Sequence, residues 1–229
     1  MLEIRIDSLL SGAERATGSV VIIDVFHAFT TAAVVLARGA AKIIMVSSVE
    51  EVLALRSAGT GQLCMGEVRG RAPSDFDLGN SPFEASLAHV DGMTIIQRTS
   101  AGTQGVVSAR QADQLYAGSL VTAKATARAI LRQSPQEATL VAMGDDAVTR
   151  TDEDELCAIH LRHLLEGRPG NGRGIRDVIL ASSRIADFHN PAIAHLHPGD
   201  LEIALDIDRY DFAVRVTEEG GRPVARLES

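Results

Sequence analysis

Tryptophan is missing from the 229 residues and aromatic side chains make up only 3% of them. A core made from this chain must therefore rest on Val, Ile, Leu and Ala, as in an α/β enzyme. Only two cysteines occur, Cys64 and Cys157, far apart and outside any CxxC spacing. That pattern argues against a disulfide framework or a cysteine zinc site and predicts two buried, reduced thiols. Positive charge is also in deficit, with 22 Lys and Arg against 30 Asp and Glu for a net −8. Such a balance excludes broad binding to nucleic acid or to an anionic membrane, and any anionic ligand must meet locally arranged cations. No apolar run reaches the length of a bilayer span, and the opening MLEIRIDSLLSG carries acids. It reads as neither leader nor anchor, so a cytoplasmic protein is expected. The GxxxxGK[ST] and GxGxxG patterns are absent as well, which weakens a nucleotide-binding reading.

What is present describes one compact unit over 1–229, with 45% apolar residues and no low-complexity segment. Val20 to Val25 is a continuous apolar run ending in an acid, as in a buried parallel strand that opens onto a polar site. A helix over Thr30–Arg38 with hydroxyl caps, a strand at Lys42–Val46 and a helix at Val49–Ser57 follow, the last capped by Ser47 or Ser48. The order recurs as a strand at Met93–Gln97, a helix at Gln104–Arg110, a strand at Leu115–Ala117 and a helix at Ser119–Leu131. Pseudo-repeat halves near 20–57 and 93–131 are thus expected, with Ile22 in register with Ile95. A third strand at Ala138–Ala142, an acidic loop and a helix at Asp152–Leu165 continue the alternation. Beyond a Gly-rich surface loop at Gly167–Gly174 we expect a helix over Arg176–Arg184, a terminal helix over Asp200–Ile207 and a strand over Asp211–Val216. The fold class is α/β.

Four polar constellations stand out. Asp24 closes the first strand, where ligands of open α/β sheets gather, and a buried carboxylate there needs a cation or a helix start to offset it. His27 follows, suited to holding a phosphate oxygen when protonated or to proton transfer. The segment Arg98, Thr99, Ser100, Ala101, Gly102, Thr103 lies between strand and helix, so its hydroxyls and amides can cradle an anion, or simply cap the helix. Gly66 to Pro82, GEVRGRAPSDFDLGNSP, has no hydrophobic period and reads as a functional loop. Its Glu67, Asp75 and Asp77 are hard donors that suit Mg²⁺, while Arg69 and Arg71 suit phosphate, sulfonate or carboxylate. Asp145, Asp146, Glu153, Asp154 and Glu155 form the last patch; most read as first-turn helix acids, with one or two free to complete a metal site.

These residues together resemble the 2-phosphosulfolactate phosphatase family. The likeness is carried by Asp24-Val25 ahead of a Thr-containing helix, Gly66-Glu67, FDLGNSP at Phe76–Pro82, T-x-x-GT at Thr99–Thr103, ED-x-x-CA at Glu153–Ala158 and the terminal DIDRYD at Asp206–Asp211. It implies a three-layer α/β/α fold with a mixed sheet and two similar β-α-β-α halves, and a Mg²⁺-dependent phosphatase of a small anionic 2-hydroxy acid phosphate. Asp24, His27 and Glu67 would be catalytic. Asp24, Glu67, Asp145 and Asp154 would hold the metal. Arg69, Arg71, Asn80, Arg98, Thr99, Ser100, Gly102 and Thr103 would bind substrate, with water attack and an aspartyl-phosphate on Asp24 both open. A homodimer is the base expectation. The chain departs from the family's pattern at His27, where arginine is usual, at GEVRGR for GERGG, at TSAGT for TNGT, and at Ala123 near a usual asparagine. A second expectation follows, an inactive member that binds small anions or serves as a scaffold.

Overall fold

The computed structural model describes residues 2–193 and 195–229. The chain alternates strand and helix: β1 Glu3–Ser8, α1 Leu9–Arg15, β2 Gly18–Ile23, α2 Ala28–Ala37, β3 Lys42–Met45, α3 Val49–Ser57, β4 Leu63–Gly66, α4 Pro82–Leu87 and β5 Thr94–Arg98. It continues through α5 Gly102–Ser108, β6 Ala112–Gly118, a 3₁₀ turn at Leu120–Thr122, α6 Ala123–Arg132, β7 Glu137–Ala142 and α7 Asp152–Leu165. α8 Gly172–Leu180, α9 Ile185–Phe188, α10 Pro198–Ala204, β8 Ala213–Glu219 and β9 Arg222–Glu228 complete it.

All nine strands form one mixed sheet in the order β1-β7-β2-β6-β8-β9-β3-β5-β4. β1, β7, β2 and β6 run parallel, as do β3, β5 and β4, and the antiparallel β8–β9 hairpin joins the two blocks. With the edge strand β1 set aside, reading the remaining eight strands from the opposite edge exchanges β7 with β4, β2 with β5, β6 with β3 and β8 with β9. In strand order alone, β2 and β3 thus correspond to β5 and β6.

Alternation along the strands creates the layers. Val20 and Ile22 of β2 face a core shared with α1, α2 and α5, while Val21 and Ile23 face a second core shared with α6, α7 and α10. On the other block, Ile43 and Met45 join the first core and Ile44 packs under Val52 and Leu55 of α3. The result is the expected three-layer α/β/α arrangement. Both cysteines are free and buried. No helix among the described residues is long and apolar enough to cross a membrane.

Several local expectations need correction. The hydroxyls of Thr30 and Thr31 do not cap α2; Thr30 Oγ1 donates back to Val25 O, and Asp24 Oδ1 takes the Ala28 amide. α3 starts as expected, with Ser48 accepting from Glu51 N and acids in the first turn. α8 begins four residues before the expected Arg176, because the Asn171 side chain accepts from Gly174 N and turns the Gly-rich run into a helix start. α10 starts at Pro198 through a capping box between His197 and Asp200. β8 sits two residues later than expected, and β1, α1, β4, α4, α9 and β9 were not anticipated.

Candidate functional site

A cleft of about 820 Å³ opens where the loops after β2, β4, β5 and β7 meet the α8–α9 segment. Of the expected site residues, Asp24, His27, Glu67, Arg71, Asn80, Ser100 and Asp145 line it. Asp24 leaves β2 with Oδ1 fixed 3.0 Å from the Ala28 amide. Oδ2 faces the start of α5, 3.0 Å from where a Cβ on Gly102 would stand, and that Cβ would also meet the Ala28 Cβ at 2.7 Å. Only glycine allows the starts of α2 and α5 to approach this closely. Burial among protein groups, with the nearby Glu67 and Glu153 carboxylates, raises the Asp24 pKa to about 7.

Glu67 organises the opposite wall. Its Oε2 accepts from Gly70 N at 2.7 Å and Ser100 Oγ at 3.0 Å, and Oε1 accepts the Ser100 amide. Gly66 makes this approach possible: it adopts φ +133, and a Cβ there would lie 1.9 Å from the Arg98 carbonyl. That carbonyl accepts the Glu67 amide at 3.0 Å.

Other expected ligands are committed to the framework. Arg98 donates to Glu67 O at 2.7 Å, Ser47 O at 3.2 Å and Ser100 Oγ at 3.2 Å, tying β5 to two neighbouring loops. Thr99 and Thr103 are buried and bond each other's amides through their hydroxyls at 3.0 and 2.8 Å. They lock the turn rather than face the cleft. Arg69 stands outside the lining in a left-handed conformation, its amide donating to Ser100 Oγ at 2.8 Å. Asp154 is buried, with Oδ1 accepting from Val25 N and Oδ2 from Gly144 N, both at 2.8 Å. Burial, Asp24 and Glu153 push its carboxyl well above the usual range.

The FDLGNSP stretch divides its labour. Asp77 accepts the Cys64 amide at 2.8 Å and pairs with Arg56 at 2.8 Å. Ser81 caps α4 ahead of Pro82 and donates to buried Asp200 at 2.6 Å. Gly79, Asn80 and Ser81 line the cleft, and Asn80 has a buried Oδ1 without a partner among the described residues.

His27 is held neutral, its pKa lowered to about 4 by burial and by the nearby Arg184 and His195. In the ligand-free protein this disfavours the protonated form expected to hold phosphate. Its ring stacks on Phe188 of α9 at 5.8 Å, and its buried Nε2 has no partner among the described residues.

Glu153, one of the acidic patch from which a metal ligand was expected, also lines the cleft, as do Arg184 and His195, which were not anticipated. Glu153 is buried, and burial raises its pKa against the lowering effect of Arg184. Arg184 pairs loosely with Asp145 at 3.6 Å. Among the described residues, no three His, Cys, Asp or Glu side chains form a ready-made ligand cluster. The donors nevertheless fit a hard divalent cation that keeps several waters and takes one or two carboxylates. Glu67 and Asp154 have both oxygens engaged, which leaves Asp24, Asp145, Asp146 and Glu153 as the other acids of the lining.

The model of the family described as 2-phosphosulpholactate phosphatase matches residues 6–198. The chain belongs to this family. Among its relatives, a protein of Carboxydothermus hydrogenoformans is 44% identical over 114 residues, covering 50% of this chain and 47% of the relative. One of Deinococcus radiodurans is 34% identical, covering 63% and 60%, and one of Thermus thermophilus is 33% identical, covering 75% and 73%. Each of the three is named probable 2-phosphosulfolactate phosphatase. The chain thus spans about half the length of the first relative and three-fifths of the second. Asp24, Glu67 and FDLGNSP all fall within the family match.

Proposed function

We propose that this family member is a Mg²⁺-dependent phosphoric monoester hydrolase acting on a small anionic 2-hydroxy acid phosphate, of which 2-phosphosulfolactate is the leading candidate. The supporting observation is Asp24, oriented by the Ala28 amide at the floor of a cleft and crowded by other carboxyls. A half-buried acid in a cleft with its pKa raised by its surroundings is a functional-site signature. Bound between Asp24 and Glu153, Mg²⁺ would neutralise phosphoryl charge and favour the ionised carboxylates. In the net reaction a water oxygen joins phosphorus and the ester P–O bond breaks. The departing alkoxide takes up a proton, and the products are inorganic phosphate and the free hydroxy acid.

Asp24 either accepts the proton of the attacking water or attacks phosphorus itself. Glu67 holds the Ser100 turn at the right depth. Neutral His27 can donate from Nε2 to a substrate oxygen in the tautomer that carries its proton there, while Asn80 Oδ1 is an acceptor suited to a hydroxyl or water proton; neither atom has a partner among the described residues. Arg71 adds a guanidinium at the cleft wall.

A second reading, anion binding without turnover, is favoured by His27 and Ala123, which stand where the family's pattern has arginine and, nearby, asparagine. Phosphate release from phosphosulfolactate, phospholactate, phosphoglycolate and p-nitrophenyl phosphate, with and without Mg²⁺ and with Asp24→Asn in parallel, separates the two. Release that requires both metal and Asp24 supports the hydrolase. No release from any ester supports the binder.

A further inference from the structure

Two arginines from different parts of the chain line the cleft, Arg71 after β4 and Arg184 ahead of α9. Their surroundings differ. Arg184 is set by aromatic packing: Phe188, one turn further along α9, stacks on the His27 ring at 5.8 Å and meets Phe26 edge-on at 5.0 Å. This anchors the start of α9 beside the loop that carries Asp24. Arg184 is close enough to influence both His27 and Glu153, which flank Asp24. Its one ion-pair partner among the described residues is Asp145, at a loose 3.6 Å and 62% exposed at the side chain. A contact of that length to a solvated carboxylate is weak and readily exchanged for a better-placed anion. Arg71 stands with Asn80 and Gly79 on the wall built by the Glu67 loop, and its guanidinium has no hydrogen-bond or ion-pair partner among the described residues.

The rest of the lining is short of cations at the Asp24 end. His27 is neutral there, Arg98 is consumed by backbone carbonyls, and Asp24, Glu153 and Asp145 are all acids. A phosphoryl group arriving there needs forked positive charge beyond one divalent ion, as phosphoryl transfer generally does.

We propose that Arg184 is the guanidinium that meets the transferring phosphoryl group, releasing Asp145 to do so, while Arg71 takes the second anionic group of the same substrate. This assignment rests on the phosphatase reading above. It divides the two arginines by role: Arg184 acts mainly in the transition state, and Arg71 mainly in ground-state binding and substrate selection.

The test is steady-state phosphate release by wild type, Arg184→Ala, Arg184→Lys and Arg71→Ala, with melting temperatures recorded for each. Arg184→Ala is expected to lower kcat about 100-fold, as loss of a single transition-state donor does. KM should stay within about threefold, and Arg184→Lys should be intermediate because a point charge replaces a fork. Guanidinium ion added to Arg184→Ala should restore part of kcat, which a purely structural role would not allow. Arg71→Ala should instead raise KM for hydroxy acid phosphates by a larger factor than for p-nitrophenyl phosphate, which lacks a second anionic group. The proposal is overturned if Arg184→Ala melts like wild type and keeps its kcat, or if its defect lies in KM alone. Wild type that releases no phosphate from any ester would instead sink the phosphatase reading itself.

Discussion

Ser100 donates to Glu67 twice, once through its amide and once through its hydroxyl at 3.0 Å, so a β5 turn and a β4 loop share one carboxylate. Ser100 Oγ in turn accepts from Arg69 N at 2.8 Å and Arg98 Nη1 at 3.2 Å. Glu67→Ala would strip three donors of their acceptor, whereas Ser100→Ala removes one hydroxyl and retains the amide bond. Urea unfolding should show a loss of about 2–4 kcal/mol for Glu67→Ala and about 1–2 kcal/mol for Ser100→Ala. Equal stabilities for the two variants would refute this ranking.

Asp24→Asn keeps an oxygen to accept the Ala28 amide and so should leave the circular dichroism spectrum unchanged. It removes the carboxylate, and phosphate release should fall at least 100-fold. Mg²⁺ should raise the melting temperature of wild type and have little effect on the variant, a readout that does not depend on turnover.

Asp24 and His27 tilt the metal-free pH–stability curve in opposite directions. The Asp24 pKa is about 7 in the fold and near 3.8 when free, so the folded state holds the extra proton between those values and stability falls as pH rises through them. The His27 pKa is about 4 in the fold against 6.5, so the unfolded state holds the extra proton and stability falls as pH drops from 6.5 to 4. Relative to wild type, Asp24→Asn should therefore gain stability as pH rises from 4 to 7, and His27→Asn should gain as pH falls from 6.5 to 4. Denaturant titrations in chelator across this range check both signs.

Asp154→Ala would leave the Val25 and Gly144 amides without acceptors inside the protein. With two buried donors unmet, the expected cost is about 2 kcal/mol or more. Because these amides set the loops after β2 and β7, hydrogen exchange should quicken at both together. Faster exchange at only one loop would show that Asp154 does not couple them.

Much of this was legible from the chain, for reasons that differ by residue. Asp24 stands out because a continuous apolar run ends on an acid, and that pattern reports both burial and an opening to solvent. Thr99 and Thr103 were legible as residues but not in role, since hydroxyls at a strand-to-helix turn serve a ligand or each other equally well. Arg98 misleads because its acceptors are backbone carbonyls, which no side-chain pattern encodes. Arg184 and His195 reach the cleft from a segment more than 150 residues beyond Asp24, and only tertiary packing brings them there. β4 was hidden by its length of four residues, and β1 by its mixture of apolar and charged positions at the sheet's edge.

The β8–β9 hairpin has a further consequence for biosynthesis. These two strands follow the other seven in chain order, yet they fill the middle of the sheet between β6 and β3. Until they emerge from the ribosome, both parallel blocks carry an open inner edge, and the loops that converge on Asp24 lack a shared frame. Sealing that gap pairs β6 with a strand about 100 residues away and β3 with one about 180 away, a topology that favours slow closure. During that interval the unfinished edges are templates for strand pairing between nascent chains, so this protein should lean on chaperones most heavily just before residues 213–228 appear.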